Sequence, residues 1–134
     1  MKRIKQLRLR VESGQALVEF ALVLPALMAI LIGILQFGVI FKDYLTLTDA
    51  VREGARKAAV SRNRVGRVDY VKAEVVKSGE DLKPDFDTAD VEVVSSWKPG
   101  EDVTIRAKHP YSIDVLGIVV HAGDLETVAV ERVE

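Results

Sequence analysis

Hydrophobic and polar residues follow three successive patterns along this chain. Phe20 through Phe41 is a run of 22 residues without a charge. At about 1.5 Å per residue a helix of that length matches the roughly 30 Å hydrocarbon core of a bilayer, so a transmembrane segment is expected over about 20–41. From Phe41 to Ala59 the pattern becomes one-sided. Phe41, Tyr44, Leu47, Thr48, Val51, Gly54, Ala55, Ala58 and Ala59 project to one face, and Lys42, Asp43, Asp49, Glu53, Arg56 and Lys57 to the other. Together the two stretches predict one continuous helix over about 15–60, apolar all round at first and amphipathic later. Within its outer half Ala50, Gly54 and Ala58 recur at a spacing of four, which admits very close packing. That stripe fits an assembly contact with other subunits or the seat of the helix on its own domain.

Beyond residue 60 the periods shorten. Ser61 to Gly66 is polar and ends the long helix. Val68, Val71 and Val75 then mark a short amphipathic helix stopped by Gly79, and Pro84 starts a break. Val91, Val93, Ser95 and Trp97 alternate with polar residues, as do Val103, Ile105, Ala107 and His109. Lys98-Pro99-Gly100-Glu101 stands between them with proline and glycine where a type II turn requires them, so an antiparallel hairpin is expected. A third strand is expected at about Glu126 to Val133, with Ile113 to Val120 as a buried connector. A helix covering one face of this sheet makes an α+β domain over 61–134.

Charge adds a direction. Residues 1 to 11 carry Lys2, Arg3, Lys5, Arg8 and Arg10 and no acid, whereas from Lys42 onward 14 Lys and Arg face 18 Asp and Glu. A basic head, an apolar run and a mildly acidic body form a membrane pattern rather than a nucleic-acid pattern. The positive flank predicts a cytoplasmic N-terminus and an extracytoplasmic body. An ordinary signal peptide fits less well, because its apolar core is shorter and the nearest small-residue site, at Leu27-Met28-Ala29, would leave an apolar new start.

Three residues disturb the reading as a plain anchor. Glu19 lies at the entrance of the apolar run, where a carboxylate either snorkels to the headgroups or meets a cation. Pro25 removes a helix hydrogen bond and marks a local bend, tolerated or functional. Ala29 and Gly33 form a small-x-x-x-small pair that permits helix approach.

Taken in order, Gly14-Gln15-Ala16-Leu17-Val18-Glu19-Phe20-Ala21, the apolar run, Gln36-Phe37-Gly38 and Leu47-Thr48-Asp49-Ala50-Val51-Arg52-Glu53-Gly54-Ala55-Arg56 resemble the TadE-like family. These are pilin-related (pseudopilin) proteins of tight-adherence, type IVb pilus secretion systems. Val128 to Glu134 is similar to the strand with which such proteins often end, while Gln36 stands where members commonly carry an acid. The resemblance implies that residues 1–14 are a leader cut after Gly14 by a prepilin peptidase. Gln15 then becomes the first residue and Glu19 the fifth. The helix, through Glu19, Phe20, Pro25, Gly33, Ala50, Gly54 and Ala58, would serve assembly with other pilin or pseudopilin subunits and an inner-membrane pilus platform. Beside the lipid bilayer those are the partners expected, in the bacterial inner membrane or a pilus. The reading weighed against it is a non-polymerising single-pass membrane protein whose outer domain binds an envelope or secretion partner.

Catalytic chemistry has little footing. The chain has no cysteine, which excludes thiolate metal sites and a cysteine nucleophile. His109 and His121 read as an edge-strand and a loop residue, and no Ser-His-Asp order or glycine-rich phosphate loop occurs. Asp85, Asp87 and Asp90 lack the glycine and distant glutamate of a calcium loop and read as solvated. Arg62, Arg64 and Arg67 suit a helix C-terminus better than a phosphate site, and the Trp97 ring is expected in the core. The expectation is therefore no enzyme, no cofactor and no metal.

Overall fold

The structure, a computed structural model, describes residues 2–82, 85–115 and 117–134, with side chains from Gly14 onward. The leader cations Lys2, Arg3, Lys5, Arg8 and Arg10, and Pro84, thus lie outside the described side chains. The chain forms helix α1 (Lys2–Ala59), helix α2 (Arg67–Ser78), a 3-10 turn at Glu80–Leu82, and strands β1 (Val91–Ser95), β2 (Asp102–Val115) and β3 (Ile118–Arg132). This is the expected α+β class. Two compact units divide it, Met1–Phe37 and Gly38–Glu134.

The first unit is helical. Its described side chains from Leu17 to Phe37 are largely exposed, with Leu22 at 76% and Phe37 at 69%. Among the described residues α1 is the one helix long and apolar enough to cross a membrane, and its most apolar window, of mean hydropathy 2.5, has nothing buried. That is the profile of a single-pass membrane protein. The helix continues N-terminal of the expected start at Gln15, because a lone glycine at 14 costs a helix only about 1 kcal/mol.

The second unit has one core. Leu47, Ala50, Val51, Ala55 and Ala58 of α1 pack with Val71 and Val75 of α2, with Leu82 and Phe86, and with Val91, Val103, Ile105, Ala107 and Val133 from the sheet. The sheet is antiparallel in the order β1-β2-β3. Its period-two alternation puts Val103, Ile105, Ala107 and His109 inward. On the other face Arg106 bridges Glu92 (3.3 Å) and Glu126 (3.2 Å), and Lys108 extends the array to Glu126 (3.8 Å). Exposed pairs of this kind contribute little stability, but they mark the face as solvated.

The expected turn is present, with Glu101 N–H donating to the Lys98 carbonyl (3.1 Å) and Gly100 at φ 81°. Gly100→Ala should therefore cost the domain about 1 kcal/mol, measurable as a lower urea midpoint, since an L residue is strained there. An unchanged midpoint would mean that the turn contributes nothing. The chain end is tied down beside it. Val133 N–H donates to the Glu101 carbonyl (2.8 Å) and Glu134 N–H to the Ala59 carbonyl (3.0 Å), which occupies one of the orphan carbonyls at the end of α1.

Several expectations are corrected. The third strand begins at Ile118 rather than near Glu126, and the described part of Ile113 to Val120 is no buried connector. It forms the tip of a long β2–β3 hairpin whose Ile118, Val119 and Val120 are 70%, 59% and 65% exposed. His109 lies on the central strand at 7% exposure, against the edge of Phe86 (6.2 Å), and His121 belongs to β3 rather than a loop. Val68 is exposed, and Phe86, within the acidic stretch, takes a core position against Gly79. Trp97 lies past the end of β1 and is only partly buried. Its positive φ of 58° is held by the Ser95 hydroxyl accepting its N–H (3.0 Å), and the ring packs at the core's edge under Arg67 (4.9 Å).

Candidate assembly and processing site

The residues implied by the leader and helix motif lie on α1, where adjacent helical turns determine their neighbours. Gly14 to Phe20 is exposed throughout. Gln15 and Glu19 stand four apart on one helix face, and the Gln15 Nε2 donates to Glu19 Oε1 at 3.0 Å. The carboxylate at the head of the uncharged run thus has a neutral partner one turn back. Pro25 sits inside α1. A Cβ built at Gly14, Gly33 or Gly38 would meet nothing within 4 Å, so each glycine leaves a shallow opening on the helix surface.

The outer stripe is different. Ala50 and Ala58 are completely buried, and Gly54 lies against α2 and β2. A Cβ at Gly54 would overlap Val75 Cγ2 and come within 3.4 Å of Ile105 Cδ1. These three residues form the seat of α1 on its own sheet domain. Assigning them to contacts between subunits is corrected accordingly, because a surface already filled by Val75 and Ile105 is not open to another chain. The sequence shows the small-residue spacing but not which partner fills it.

The other candidate chemistry resolves locally. Arg67 Nη1 donates to the Arg62 carbonyl (2.8 Å), and the Arg64 guanidinium lies over the Tyr70 ring at 3.6 Å, so these two cations brace the α1–α2 loop. Asp87 Oδ1 accepts from Ala89 N–H and Asp90 Oδ2 from Asp87 N–H (2.9 Å), which is local turn capping. No group of three or more metal-ligating side chains occurs among the described residues.

Residues 14–56 match the family described as TadE-like protein. This part of the chain is TadE-like. The TadE-like segment starts at Gly14, the implied cleavage position, takes in the whole apolar run and ends inside the helix turn that carries Gly54. The match is thus to the membrane-crossing helix and its outer continuation. No curated protein and no solved structure matches the chain. The TadE-like segment excludes the sheet domain, so the roles of α2 and the three strands rest on their own geometry.

Proposed function

We propose that the protein is a minor pilin-like subunit or assembly factor of a tight-adherence type IVb pilus, inserted with its N-terminus in the cytoplasm and cut after Gly14 by a prepilin peptidase. The observation that carries this reading is the TadE-like match over a helix whose apolar side chains are largely exposed from Leu17 to Phe41. A helix wet by lipid on all sides exchanges lipid for protein at little hydrophobic cost, and small residues such as Gly33 let another backbone approach. On this reading the chain is a substrate of the peptidase and catalyses nothing itself. It sits in the inner membrane with the sheet domain outside.

Processing has a physical requirement. The Gly14–Gln15 bond lies within α1, and a peptidase that binds extended chain must unwind that turn first. Gly14 is the weak point for doing so, since glycine has the greatest backbone freedom to regain. Cleavage would remove the basic leader and create an α-amino cation at Gln15. When helices bundle, a neighbouring subunit's Glu19 would pair with that cation and specify axial register, even if the net energy is small.

Gly14→Leu should leave the chain inserted but uncut. The check is the intact mass of protein extracted from membranes of cells with active peptidase. Wild-type chains should begin at Gln15 and the variant at Met1; a wild-type chain still carrying Met1 would remove the processing step from the proposal.

A further inference from the structure

The two edges of the sheet are finished differently. Strand β1 is five residues long and pairs with β2 only from Ser95↔Val103 to Val91↔Ala107, whereas β2 and β3 stay paired to Val115↔Ile118. Past Ala107 the hairpin is therefore a two-stranded arm. On its β1 side Lys108 N–H donates to the Asp90 carbonyl (3.1 Å), and Pro110, the next residue in that direction, has no N–H to offer. That edge is short and then blunted. The opposite edge is β3, 15 residues from Ile118 to Arg132 with neither proline nor lysine, the residues that commonly guard an edge. None of the 15 is buried.

The direction of the β3 backbone follows from the chain end. Val133 N–H donates to the Glu101 carbonyl, and the Val133 carbonyl accepts from Gly100 N–H (both 2.8 Å), so residue 133 turns both groups toward β2. In an antiparallel ladder the direction alternates. The odd residues back to His121 therefore face β2, and Asp124, Glu126, Val128, Val130 and Arg132 turn their N–H and C=O outward, recurring about every 6.6 Å. Among the described residues no backbone group outside β2 bonds to β3 between Ile118 and Arg132, and α1 meets the strand through side chains, Thr48 Oγ1 to Thr127 Oγ1 at 3.5 Å. Donors and acceptors at that spacing match one kind of molecule, another extended peptide.

Side chains of the same residues give the edge an order. Asp124 and Glu126 are acidic, Val128 and Val130 are apolar and 48% and 54% exposed, and Arg132 is basic. We propose that the β3 edge takes an added strand from a partner protein, antiparallel to β3, with a basic residue opposite Glu126, β-branched residues opposite Val128 and Val130, and an acid opposite Arg132. The β-branched residues continue the row of Val94, Thr104 and Val130 across the outer sheet face. The edge also fits itself, since setting Val128 opposite Val130 places Glu126 opposite Arg132 twice. A second copy is nevertheless the wrong occupant. Thr48 lies by Thr127 and Ala59 bonds Glu134, so β3 runs the same way as the α1 residues beside it. Twofold pairing of β3 would set these α1 segments antiparallel, and chains that share one membrane orientation cannot pair so.

The self-fit supplies a probe. A peptide of residues 125–133, acetylated, amidated and fluorescein-labelled, carries the required order in reverse, and anisotropy reads its binding to detergent-solubilised full-length protein. Binding should saturate. N-methylation of the peptide at Val128 and Val130, whose N–H groups face the protein, should abolish it, whereas N-methylation at Thr127 and Ala129, which face away, should not. Exchanging Glu126 and Arg132 within the peptide should weaken it about tenfold. On the protein, Val128→Pro removes only an outward N–H, and Val128→Lys guards the edge. Each should lose the peptide while the Trp97 urea curve stays that of wild type. If the proline variant does not fold, the lysine variant decides. Absence of saturable binding, equal binding of the two methylated peptides, or wild-type binding by Val128→Lys overturns strand addition. Ala129→Cys places a thiol on the twofold axis of self-pairing; chains so cross-linked to each other in membranes would put a second copy on the edge and overturn the choice of partner. None of these readouts depends on cleavage after Gly14 or on pilus assembly, so failure of either leaves the edge contact standing.

Discussion

Gly54→Leu should strongly destabilise the Gly38–Glu134 unit, read as a large fall in its urea midpoint. The position has no room even for a methyl group, since a Cβ would overlap Val75 Cγ2, and Ile105 closes the other side. Overpacking by a few methylenes costs about 1–3 kcal/mol, and leucine would force four carbons between a helix and a sheet that share one small core. A domain of this size has about 5–15 kcal/mol to lose. Gly54→Ala is the graded version, where a helix-propensity gain of about 1 kcal/mol offsets part of the clash. The remainder should be relieved by Val75→Ala, which removes the overlapped methyl. Trp97, the one tryptophan, reports on this unit by fluorescence in urea titrations of detergent-solubilised protein. A wild-type midpoint for Gly54→Leu would contradict the packing. So would a Gly54→Ala/Val75→Ala double variant whose losses simply add, because residues in contact should couple.

Glu19→Ala should leave insertion and the sheet domain intact while removing assembly. Glu19 lies at the head of a 22-residue uncharged run, where its partner in the single chain is the neutral Gln15 side chain at 3.0 Å. If a neighbouring α-amine replaces that amide in the filament, deleting the carboxylate leaves a cation unpaired in an apolar bundle. Breaking one side of a buried pair costs roughly 3–5 kcal/mol. At about 1.4 kcal/mol per factor of ten, that is more than a hundredfold in subunit association. Surface pili and adherence should fall together, with membrane-fraction protein and the Trp97 unfolding curve unchanged. Glu19→Gln keeps the size and hydrogen bonding without the charge, and should fail in the same way. Normal assembly by Glu19→Gln would show that hydrogen bonding rather than charge matters at this position. Normal assembly by both variants would take Glu19 out of the interface.

Periodicity carried a large part of the fold. The uncharged run, the one-sided pattern to Ala59, the valine spacing ended by Gly79 and the Pro99-Gly100 turn are local signals, because helix and turn geometry depend on residues a few positions apart. The candidate site was legible to the same extent. Gly14, Gln15 and Glu19 are neighbours in sequence, so the i,i+4 geometry that joins Gln15 to Glu19 follows from the helix alone.

What the local pattern could not contain was the identity of distant partners. Ala50, Gly54 and Ala58 show that something approaches α1 closely, but only folding supplied Val75 and Ile105, and with them an intramolecular seat. The hairpin arm was hidden for a related reason. Pro110, Gly117 and Gly123 read locally as breaks, and Ile118-Val119-Val120 interrupts the alternation at the register shift beside Ile113. The strand state of Pro110, Gly123 and Ile118 to Val120 comes from pairing across the hairpin, where Tyr111 covers Gly123, while Gly117 stays in the turn with φ 84°. Sequence by itself determined that the chain has an apolar helix with a processing-like motif at its head. Tertiary structure decided which of its small residues are already used and that Ile118, Val119 and Val120 end up exposed at a hairpin tip, because both depend on contacts between segments far apart in the chain.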